Sequence, residues 1–505
     1  MFSAFWAWVL AHPVEDTIIL ALLGIAIAIW AKWRSDKAFR ELKEEIKKLQ
    51  ERPTLVSGRD TEVTAEKPVE HLASAQQYLD GIPKVRKRRK AVIYRDAFRA
   101  MNEHRHEEAI AKFQEALPLA ADDSERCAIL NLIGISQMNS GANLDAEQTF
   151  LEMIDIAERA ELDEALSAAL GNIGLVYRTL GELQKALDYH QKALEMAEKI
   201  GNFETKATIL GNLVIVYRIL GEPRKALNCG HKALKLSKKI GDLEIQSSVL
   251  GNMGNIYQTL GEPKKALEYH EKALKISKKI GRLESQAADL GNIGIVYEAL
   301  GEPRKALEYH LKALHLARRV GYMEAQVSQL GNIGLIYQIL EEPRKALEYL
   351  QKALKISEKI GWLDGQAKSL GNIGIVCETL GKHYKALEYY QRVLIIAKKG
   401  DNLDIQTNTL GNIGNVHRNL GESKKALEYY ERSLKLAKKV GNPRIQANQL
   451  GNIGAVYWDM DMYRKALDYF QQAHEIYTRI RARHMVEKTD RHIVLAKQKL
   501  AEQEK

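Results

Sequence analysis

Cysteine and proline are both scarce in this chain of 505 residues. The three cysteines, Cys127, Cys229 and Cys377, lie far apart and form neither a CxxC pair nor a Cys/His spacing typical of a zinc site. This pattern excludes a disulfide framework and favours a reducing compartment. The small number of prolines, ten, together with abundant Ala, Leu, Lys and Glu, favours an all-α protein.

Motifs of the common catalytic sites are missing as well. The chain contains no phosphate-binding loop, no nucleophile elbow and no pair of carboxylates at a catalytic spacing. The formal net charge of +10 leaves room for an acidic partner, whether a protein, an anionic lipid or a nucleic acid, and charge alone does not choose among them. We therefore expect no enzyme and no cofactor.

Charged residues are absent from residues 17–31, TIILALLGIAIAIWA. A helix of this length rises only about 22 Å, which is short for a hydrocarbon core of about 30 Å. If Trp33 is included and Lys32 extends its ammonium group to the headgroups, the span 17–33 becomes marginally sufficient. The sequence thus predicts an N-terminal membrane anchor over residues 1–35, in which a transmembrane helix contacts the lipid bilayer.

The charges around this span predict its orientation. Lysines and arginines follow it from Lys32 onward, so the positive-inside rule places the N-terminus outside and the rest of the chain in the cytoplasm. A cleaved signal peptide is the alternative, because Ala26-Ile27-Ala28 resembles a cleavage site, but no lysine or arginine precedes the apolar run. We therefore predict a single-pass membrane protein.

Two segments connect the predicted anchor to the rest of the chain. Residues 36–52 predict a juxtamembrane helix, whose apolar 3-4-3 spacing suits either a weak coiled-coil dimer over 39–49 or one face of a solvated helix. Residues 53–90 predict a flexible linker. Its basic tract at 84–90, KVRKRRK, either attracts anionic lipid or is the solvated start of the next helix. Because the tract lacks interleaved aromatic residues, no nucleic acid is expected.

A strict internal repeat covers most of the chain. The pair Gly-Asn recurs with a period of 40 from residue 171 to residue 451, and the surrounding sequence is nearly copied each time. Two divergent copies precede these eight, so we expect about ten units over residues 91–480. The last segment, 481–505, places apolar residues on one stripe among charges, which is typical of a helix that caps a helical array.

Each copy predicts two helices. In the first close copy, helix A covers 164–180, Gly181 ends it, and helix B covers 183–199. In four copies a proline opens helix B, where its missing N–H is no loss. Glycine inside a helix costs about 1 kcal/mol relative to alanine. Helix A nevertheless contains two: Gly174 borders the packed stripe and lets the helices approach closely, and Gly171 lies on the opposite stripe.

This pattern resembles the tetratricopeptide repeat (TPR). The positions that carry the resemblance are Leu170, Ile173, Gly174, Tyr177, Ala186 and Ala193. The longer period and LGNIGxVY…LGExxKALEYxxKAL are similar to the 40-residue variety in kinesin light chains and G-protein-signalling modulator scaffolds. The resemblance implies an all-α, right-handed superhelical solenoid of about ten helix-turn-helix TPR units, here preceded by the transmembrane helix. Its concave groove, lined by A helices, would bind peptide segments or partner proteins.

By the same resemblance, the stripe of helix A that contains Gly171 faces the groove. An asparagine amide offers two donors and an acceptor, which match a peptide backbone. With helix layers about 10 Å apart, an extended peptide would meet one asparagine about every three residues. A hydrogen bond between repeats, or recent duplication without selection, would also explain the asparagines. The candidate peptide-binding asparagines are Asn172, Asn212, Asn252, Asn292, Asn332, Asn372, Asn412 and Asn452.

The residue six positions after each asparagine varies between copies, whereas the packed stripe stays largely constant. A specific binding surface needs a constant framework with a varied groove, although neutral drift at exposed positions would produce the same pattern. Two arginines near one end would suit an acidic ligand. The candidate peptide-binding residues at this varied position are Arg178, Arg218, Gln258, Glu298, Gln338, Glu378 and Arg418.

Three histidines, His190, His270 and His310, recur at one position of helix B. Helix layers about 10 Å apart cannot share an ion whose ligands lie about 2 Å from it, and other copies have Leu350 or Tyr390 there. Packing explains these histidines, so we expect no metal. The sequence therefore predicts a membrane-tethered scaffold that binds a protein or peptide ligand in its groove. A peptide-sensing regulatory protein is the alternative, and a nucleic-acid-binding protein is a weaker one.

Overall fold

The structure, a computed structural model, describes residues 84–103, 105–400 and 402–503. In these ranges the chain forms α-helices and one short 3-10 helix, and no strand. The chain divides into two compact units, which are described separately: unit 1 ends at Leu300 and unit 2 begins at Gly301.

The helices of both units are similar in length, apart from α2. Unit 1 contains α1 (Lys84–Asn102), α2 (His106–Ala116), the 3-10 helix (Leu117–Leu119), α3 (Asp123–Ser140), α4 (Asn143–Arg159), α5 (Asp163–Thr179), α6 (Leu183–Ile200), α7 (Phe203–Ile219), α8 (Pro223–Ile240), α9 (Leu243–Thr259), α10 (Pro263–Ile280) and α11 (Leu283–Ala299). Unit 2 contains α12 (Pro303–Arg319), α13 (Met323–Ile339), α14 (Pro343–Lys359), α15 (Leu363–Thr379), α16 (His383–Lys399), α17 (Leu403–Asn419), α18 (Ser423–Val440), α19 (Pro443–Asp459), α20 (Tyr463–Arg479) and α21 (Arg483–Gln503).

The helices alternate along the chain between two roles. Odd-numbered helices from α1 to α19 are A helices and even-numbered helices from α2 to α20 are B helices, so the described residues contain ten A helices and ten B helices in alternation, followed by α21. Within unit 1 each A helix from α3 to α11 contacts the next A helix, and the same holds within unit 2 from α13 to α19. The prediction of an all-α solenoid of about ten helix pairs is confirmed. Its right-handed superhelical course stays a prediction.

Glycine and proline define the ends of these helices. Gly181 follows α5 with φ +80°, a left-handed conformation that glycine adopts without strain. At the equivalent position after α13, Glu341 has φ +60°. Proline is the first residue of α8, α10, α12 and α14, as predicted. The predicted bounds 164–180 and 183–199 agree with α5 and α6 to within about one residue.

The second glycine of an A helix makes room for a large side chain of the paired B helix. A Cβ atom added to Gly174 would lie 2.7 Å from the ring of His190, and one added to Gly374 would lie 2.6 Å from the ring of Tyr390. Both distances are far below van der Waals contact. The close approach predicted at Gly174 is therefore the approach of a bulky ring to the backbone of the A helix.

The basic tract lies within a helix rather than in a flexible linker. Because α1 begins at Lys84, the linker predicted over 53–90 includes the first turns of this helix, which corrects its boundary. Lys90 is buried and forms an ion pair with Glu125 of α3. A lysine in this position is not available to lipid. Of the two interpretations of the tract 84–90, the start of a helix agrees with the structure, and contact of the whole tract with an anionic membrane does not, because Lys90 is buried.

Among the residues that the structure describes, no helix is long and apolar enough to cross a bilayer. The predicted localisation, a single-pass membrane protein with cytoplasmic repeats, is corrected on that ground. The segments on which it rested, the anchor 1–35 and its span 17–33, lie outside the described residues. So do the predicted juxtamembrane helix 36–52, its dimer segment 39–49 and the linker up to residue 83.

The helix α21 covers the last helix pair. It packs against α20 and buries Thr489 and Ala496, the latter in a cluster with Ala466 and Phe470 of α20. The other face of α21 is largely polar and exposed. The helix is therefore amphipathic, and its polar face is in contact with solvent at the end of unit 2.

Candidate functional site

The candidate site is the side of the A helices opposite their buried stripe. We call it the A face and define it in unit 2 by Asn332, Leu335, Gln338 and Ile339 on α13 and by the equivalent positions on α15, α17 and α19. All four residues of α13 are partly or fully exposed, whereas Ile333 on the same helix is completely buried. The A face is therefore the surface that α13 offers to a ligand.

The eight predicted peptide-binding asparagines, which we call the asparagine ladder, divide into a buried set and a half-buried set. The four asparagines of unit 1 are buried: Asn172, Asn212, Asn252 and Asn292. The four asparagines of unit 2 are half-buried: Asn332, Asn372, Asn412 and Asn452. The amides of unit 2 are therefore the ones that a ligand can reach with less rearrangement.

Asn172 forms a direct bond between neighbouring repeats. Its Nδ2 atom donates to Oδ1 of Asn131 on α3 over 2.7 Å, and both side chains are buried. This bond connects α5 to α3. It is a hydrogen bond between repeats, which was the alternative to ligand binding for these asparagines. The buried Nδ2 atom of Asn212 has no hydrogen-bond partner among the described residues. Members of the ladder thus differ in their surroundings despite their identical spacing.

The varied position also makes contacts between repeats. In unit 2 the guanidinium of Arg418 donates to both carboxylate oxygens of Asp459, over 2.6 Å and 3.1 Å. The side-chain amide of Gln338 donates to Oγ1 of Thr379 over 3.4 Å. Arg418 therefore connects α17 to α19, and Gln338 connects α13 to α15. Residues chosen for their variation contribute to the stacking of the repeats.

Glu378, at the same varied position on α15, contacts α16, the B helix of its own pair. Its carboxylate accepts a hydrogen bond from the hydroxyl of Tyr390 over 2.5 Å. Burial raises the pKa of this carboxyl, although the bond from Tyr390 lowers it. The remaining residues at the varied position are half-buried: Arg178, Arg218, Gln258 and Glu298. The predicted arginine pair lies in unit 1, on α5 and α7.

Open space borders three of the four half-buried asparagines of unit 2. A Cβ atom added to Gly331, Gly371 or Gly451 would meet no atom within 4 Å, whereas one added to Gly411, beside Asn412, would lie 2.8 Å from Nε2 of Gln449. In unit 1 the same addition to Gly211 would contact Val249 at 3.6 Å. A missing side chain lets another backbone approach closely. The A face of unit 2 therefore has room for a ligand backbone beside Asn332, Asn372 and Asn452.

Aliphatic side chains lie on the same face. Ile339 is 60% exposed and Ile375 is 36% exposed, and Leu335 is partly exposed. The unit 1 equivalents of Leu335, for example Leu175 and Ile215, are buried. Aliphatic positions between amides form a surface on which the side chains of an extended peptide can pack. In unit 1, however, Ile219 is 39% exposed at the position of Ile339, and Ile295 is half-buried at the position of Leu335, so exposed aliphatic side chains occur on this side of the A helices in both units.

Ile339 was not among the predicted site residues, although it is the most exposed aliphatic residue of this face. The sequence did contain a signal for it. The equivalent residue is threonine in three other copies, Thr179, Thr259 and Thr379, so isoleucine, which also occurs at Ile219, stands at an outward position that is polar in most copies. A comparison of the copies position by position, restricted to the open stripe, would have identified it.

Buried titratable groups lie in the core rather than on the A face. Burial lowers the pKa of His190 to about 3 and that of His270 to about 4, and neither ring has a hydrogen-bond partner among the described residues. Burial raises the pKa of Asp289 to about 7, and the hydroxyl of Ser277 donates to it over 2.8 Å. In the described ranges no group of three or more His, Cys, Asp or Glu side chains is placed to hold a metal ion.

A family model for the tetratricopeptide repeat matches most of the described chain. The matched residues are 125–199, 205–279, 246–319, 325–399 and 405–479. The chain belongs to the tetratricopeptide-repeat family. The resemblance predicted from the 40-residue pattern is thereby confirmed.

Individual proteins show weaker similarity. Photosystem I assembly protein Ycf3 from Rippkaea orientalis is 32% identical over 91 residues, which cover 18% of this chain and 49% of that protein, so the chain spans about half the length of this relative. The apo form of the quorum sensor NprR from B. thuringiensis is 16% identical with a TM-score of 0.49, covering 68% of this chain and 97% of that one. A STAND signal-transduction ATPase with a tetratricopeptide repeat sensor from Pyrococcus horikoshii is 14% identical with a TM-score of 0.49, covering 81% and 74%.

Proposed function

We propose that this protein is a non-catalytic scaffold that binds an extended peptide segment of a partner protein on the A face of unit 2. The observation that carries the proposal is the combination of half-buried asparagine amides, open glycine positions and exposed aliphatic side chains along α13 and α15. The helix α17 adds a further half-buried amide, that of Asn412. Each of the three features supplies a different part of peptide recognition.

The asparagines supply polar contacts to the ligand backbone. Each amide offers two donors and an acceptor, and a peptide backbone offers the complementary groups at every residue. Because packed helices lie about 10 Å apart and an extended chain rises about 3.3 Å per residue, successive A helices present one amide about every three residues. Asn332, Asn372 and Asn412 would therefore hold the backbone without selecting a particular side-chain sequence.

The glycines and the aliphatic residues supply space and selectivity. Gly331 and Gly371 leave the surface beside the amides unfilled, so that a ligand backbone can come within hydrogen-bonding distance. Leu335, Ile339 and Ile375 offer apolar contact, which favours a ligand with aliphatic or aromatic side chains at alternate positions. Main-chain bonds would give affinity and the apolar contacts would give specificity.

Unit 2 is a better candidate than unit 1 because its four asparagines are half-buried, whereas those of unit 1 are buried. Asn172 of unit 1 is already bonded to Asn131. Exposed aliphatic side chains do not separate the units, since Ile219 of unit 1 is 39% exposed. The arginine pair Arg178 and Arg218, from which an acidic ligand was predicted, belongs to unit 1 and does not enter the proposal.

The proposal is tested by filling the open positions. Peptides are first selected from a random phage-displayed library against the chain, and the affinity of one recovered synthetic peptide is then measured by fluorescence anisotropy. The variant Gly331→Arg/Gly371→Arg places long side chains where the ligand backbone would lie. We expect the affinity to fall at least about tenfold, which corresponds to about 1.4 kcal/mol.

A matched variant separates blocking of the face from added charge. Gln351→Arg/Gln472→Arg adds two arginines to exposed positions of B helices in the same unit and should leave the affinity unchanged. If no peptide is recovered, or if both variants bind the recovered peptide as the wild type does, the A face of unit 2 is not the binding site.

A further inference from the structure

The two most exposed large hydrophobic side chains in the described part of the chain lie on one helix. Tyr384 is 75% exposed and Ile395 is 67% exposed, and both belong to α16, a B helix of unit 2. Single exposed apolar residues are common and need no explanation. Two on the same helix, each more exposed than any other large apolar residue described, indicate a surface that is normally covered.

The other repeats show that the fold does not need apolar residues at these positions. The position of Tyr384 is arginine or lysine in six other copies: Arg224, Lys264, Arg304, Arg344, Lys424 and Arg464. The position of Ile395 is charged or histidine in the other close copies: Glu195, Lys235, Lys275, His315, Lys355, Lys435 and Glu475. The change to tyrosine and isoleucine is therefore particular to α16.

Both side chains lie on the outward stripe of α16. Eleven residues separate them, which is three helical turns and about 16 Å along the axis, so they are within about 20° of each other around the helix. The opposite stripe of α16 is buried and includes Ala386, Tyr390 and Val393. Tyr384 and Ile395 thus form two apolar points at the two ends of one solvent-facing row.

Basic residues flank these two points on both sides. Arg344 and Lys355 occupy the equivalent positions on α14, and Lys424 and Lys435 occupy them on α18. All four side chains are exposed, and none is in an ion pair with a described residue. The same rows also hold exposed glutamates, Glu348 on α14 and Glu428 and Glu431 on α18, of which Glu348 pairs with Lys352 and Glu428 with Arg432. On α16 itself four basic residues accompany the single acidic residue Glu388. We call Tyr384 and Ile395, together with Arg344, Lys355, Lys424 and Lys435, the α16 patch.

We propose that the α16 patch binds an amphipathic, acidic helix of a partner protein, at a site separate from the A face. Apolar residues about three turns apart on such a helix would contact Tyr384 and Ile395, and its flanking carboxylates would meet the four basic side chains, Arg344, Lys355, Lys424 and Lys435, that have no ion pair with a described residue. A second copy of this chain is a poor occupant, because a symmetric contact would place two basic rims against each other. Tyrosine is a frequent anchor residue at protein interfaces.

The test uses three synthetic helical peptides of about 18 residues, a length that forms about five turns. The first has leucines at i, i+4, i+7 and i+11 on a Glu/Ala background, the second replaces the glutamates with lysine, and the third replaces the leucines with serine. Binding to the full chain is measured by fluorescence anisotropy. The proposal predicts that the acidic leucine peptide binds, that its affinity falls as salt is raised, and that the other two peptides do not bind.

Variants of the protein locate the contact. Tyr384→Lys/Ile395→Lys introduces the residues that α18 has naturally at Lys424 and Lys435, so the fold should tolerate it, and it should weaken the acidic peptide at least about tenfold. Leu144→Lys, at a leucine of α4 in unit 1 that is 66% exposed, should leave the affinity unchanged. Circular dichroism melting of each variant verifies that the helices remain folded.

Several results would overturn the proposal. Absence of binding by the acidic leucine peptide, or binding that Tyr384→Lys/Ile395→Lys does not weaken, would remove its basis, and the peptide comparison on the wild-type chain decides even if the variant misfolds. If sedimentation shows a wild-type dimer that the double variant loses, a second copy covers the patch instead. If Asn332→Ala/Asn372→Ala/Asn412→Ala abolishes binding of the peptide, it occupies the A face. Failure here leaves the peptide-binding function of the A face untouched.

Discussion

Val214 and Gly230 exchange the sizes that their counterparts have in the neighbouring repeats. Gly174 of α5 faces the ring of His190 on α6, whereas in the next pair the A helix α7 carries Val214 and the B helix α8 carries Gly230. A Cβ atom added to Gly230 would lie 3.6 Å from Cγ2 of Val214 and 2.9 Å from Cγ of Met253. The contact between an A helix and its B helix is thus filled by one large and one small residue, and the large residue can belong to either helix.

This exchange predicts energetic coupling between the two positions. Gly230→His alone inserts a ring against Val214 and Met253 and should lower the free energy of unfolding by about 1–3 kcal/mol, the usual cost of overpacking. Val214→Gly alone leaves a void and also destabilises. The double variant restores the arrangement of Gly174 and His190, so it should be more stable than the sum of the single effects predicts. Denaturant unfolding of the four proteins measures the coupling, and simple additivity would contradict the account.

The two glycines of one A helix should respond oppositely to the same substitution. Gly371→Ala adds a methyl group in open space and replaces glycine within a helix, so it should stabilise α15 by up to about 1 kcal/mol. Gly374→Ala places the methyl group 2.6 Å from the ring of Tyr390 and should destabilise by about 1–3 kcal/mol. Urea midpoints of the two variants provide the comparison. Changes of the same sign would mean that both glycines serve packing.

Glu341 occupies a turn position that glycine fills elsewhere. It has φ +60°, a left-handed conformation that costs a non-glycine residue about 1 kcal/mol or more, whereas Gly381 adopts φ +69° at the equivalent turn after α15. Glu341→Gly should therefore raise the melting temperature, and the reverse control, Gly381→Glu, should lower it. A loss of stability in Glu341→Gly would show that the glutamate side chain contributes more than its backbone conformation costs.

The buried histidines predict a loss of stability in mild acid. Burial lowers the pKa of His190 to about 3 and that of His270 to about 4, whereas an unfolded histidine has a pKa near 6.5. Between about pH 6.5 and pH 4 the unfolded chain therefore binds protons that the folded chain does not, and the free energy of unfolding falls as the pH falls. His190→Leu/His270→Leu, which introduces the residue found naturally at Leu350 in the same position, should flatten this dependence in denaturant titrations.

Asp289 acts in the opposite direction over the same range. Burial raises its pKa to about 7, so between about pH 4 and pH 7 the folded chain holds a proton that the unfolded chain has lost. This group alone would weaken the fold as the pH rises. Asp289→Asn should therefore steepen the acid loss that the histidines cause. If the double histidine variant loses stability in acid as steeply as the wild type, the histidines do not control this dependence.

The helix pairs could be predicted closely because eight nearly identical copies repeat the same signals. Gly181 and the prolines that open B helices mark boundaries by local backbone preference, which needs no knowledge of the neighbours. The bond from Asn172 to Asn131 could not be predicted in this way. Asn131 lies in a divergent copy, one residue out of register with the ladder, so its contact depends on how two A helices are rotated against each other.

Residues of the varied position illustrate the same limit. The sequence pattern places Arg418 and Gln338 at the candidate groove. In the structure, however, Arg418 donates to Asp459 and Gln338 donates to Thr379, and both acceptors belong to the following repeat. Variation between copies is compatible with a ligand contact and with a contact between repeats, because both depend on side chains that reach beyond their own helix. Whether a varied side chain contacts a ligand or the next repeat depends on the spacing and rotation of neighbouring helices, which the sequence pattern does not give.

The claim that the A face of unit 2 binds a peptide is tested most directly by Asn332→Ala/Asn372→Ala/Asn412→Ala. These amides are half-buried, so the variant should melt close to the wild type, while a peptide selected against the wild type should bind at least about tenfold more weakly, as the loss of hydrogen bonds worth about 1 kcal/mol each implies. Asn172→Ala is the control: it leaves the buried Asn131 unpaired and should lower the melting temperature without weakening the peptide. Unchanged peptide affinity in the triple variant, or a melting temperature far below that of the wild type, would contradict the account.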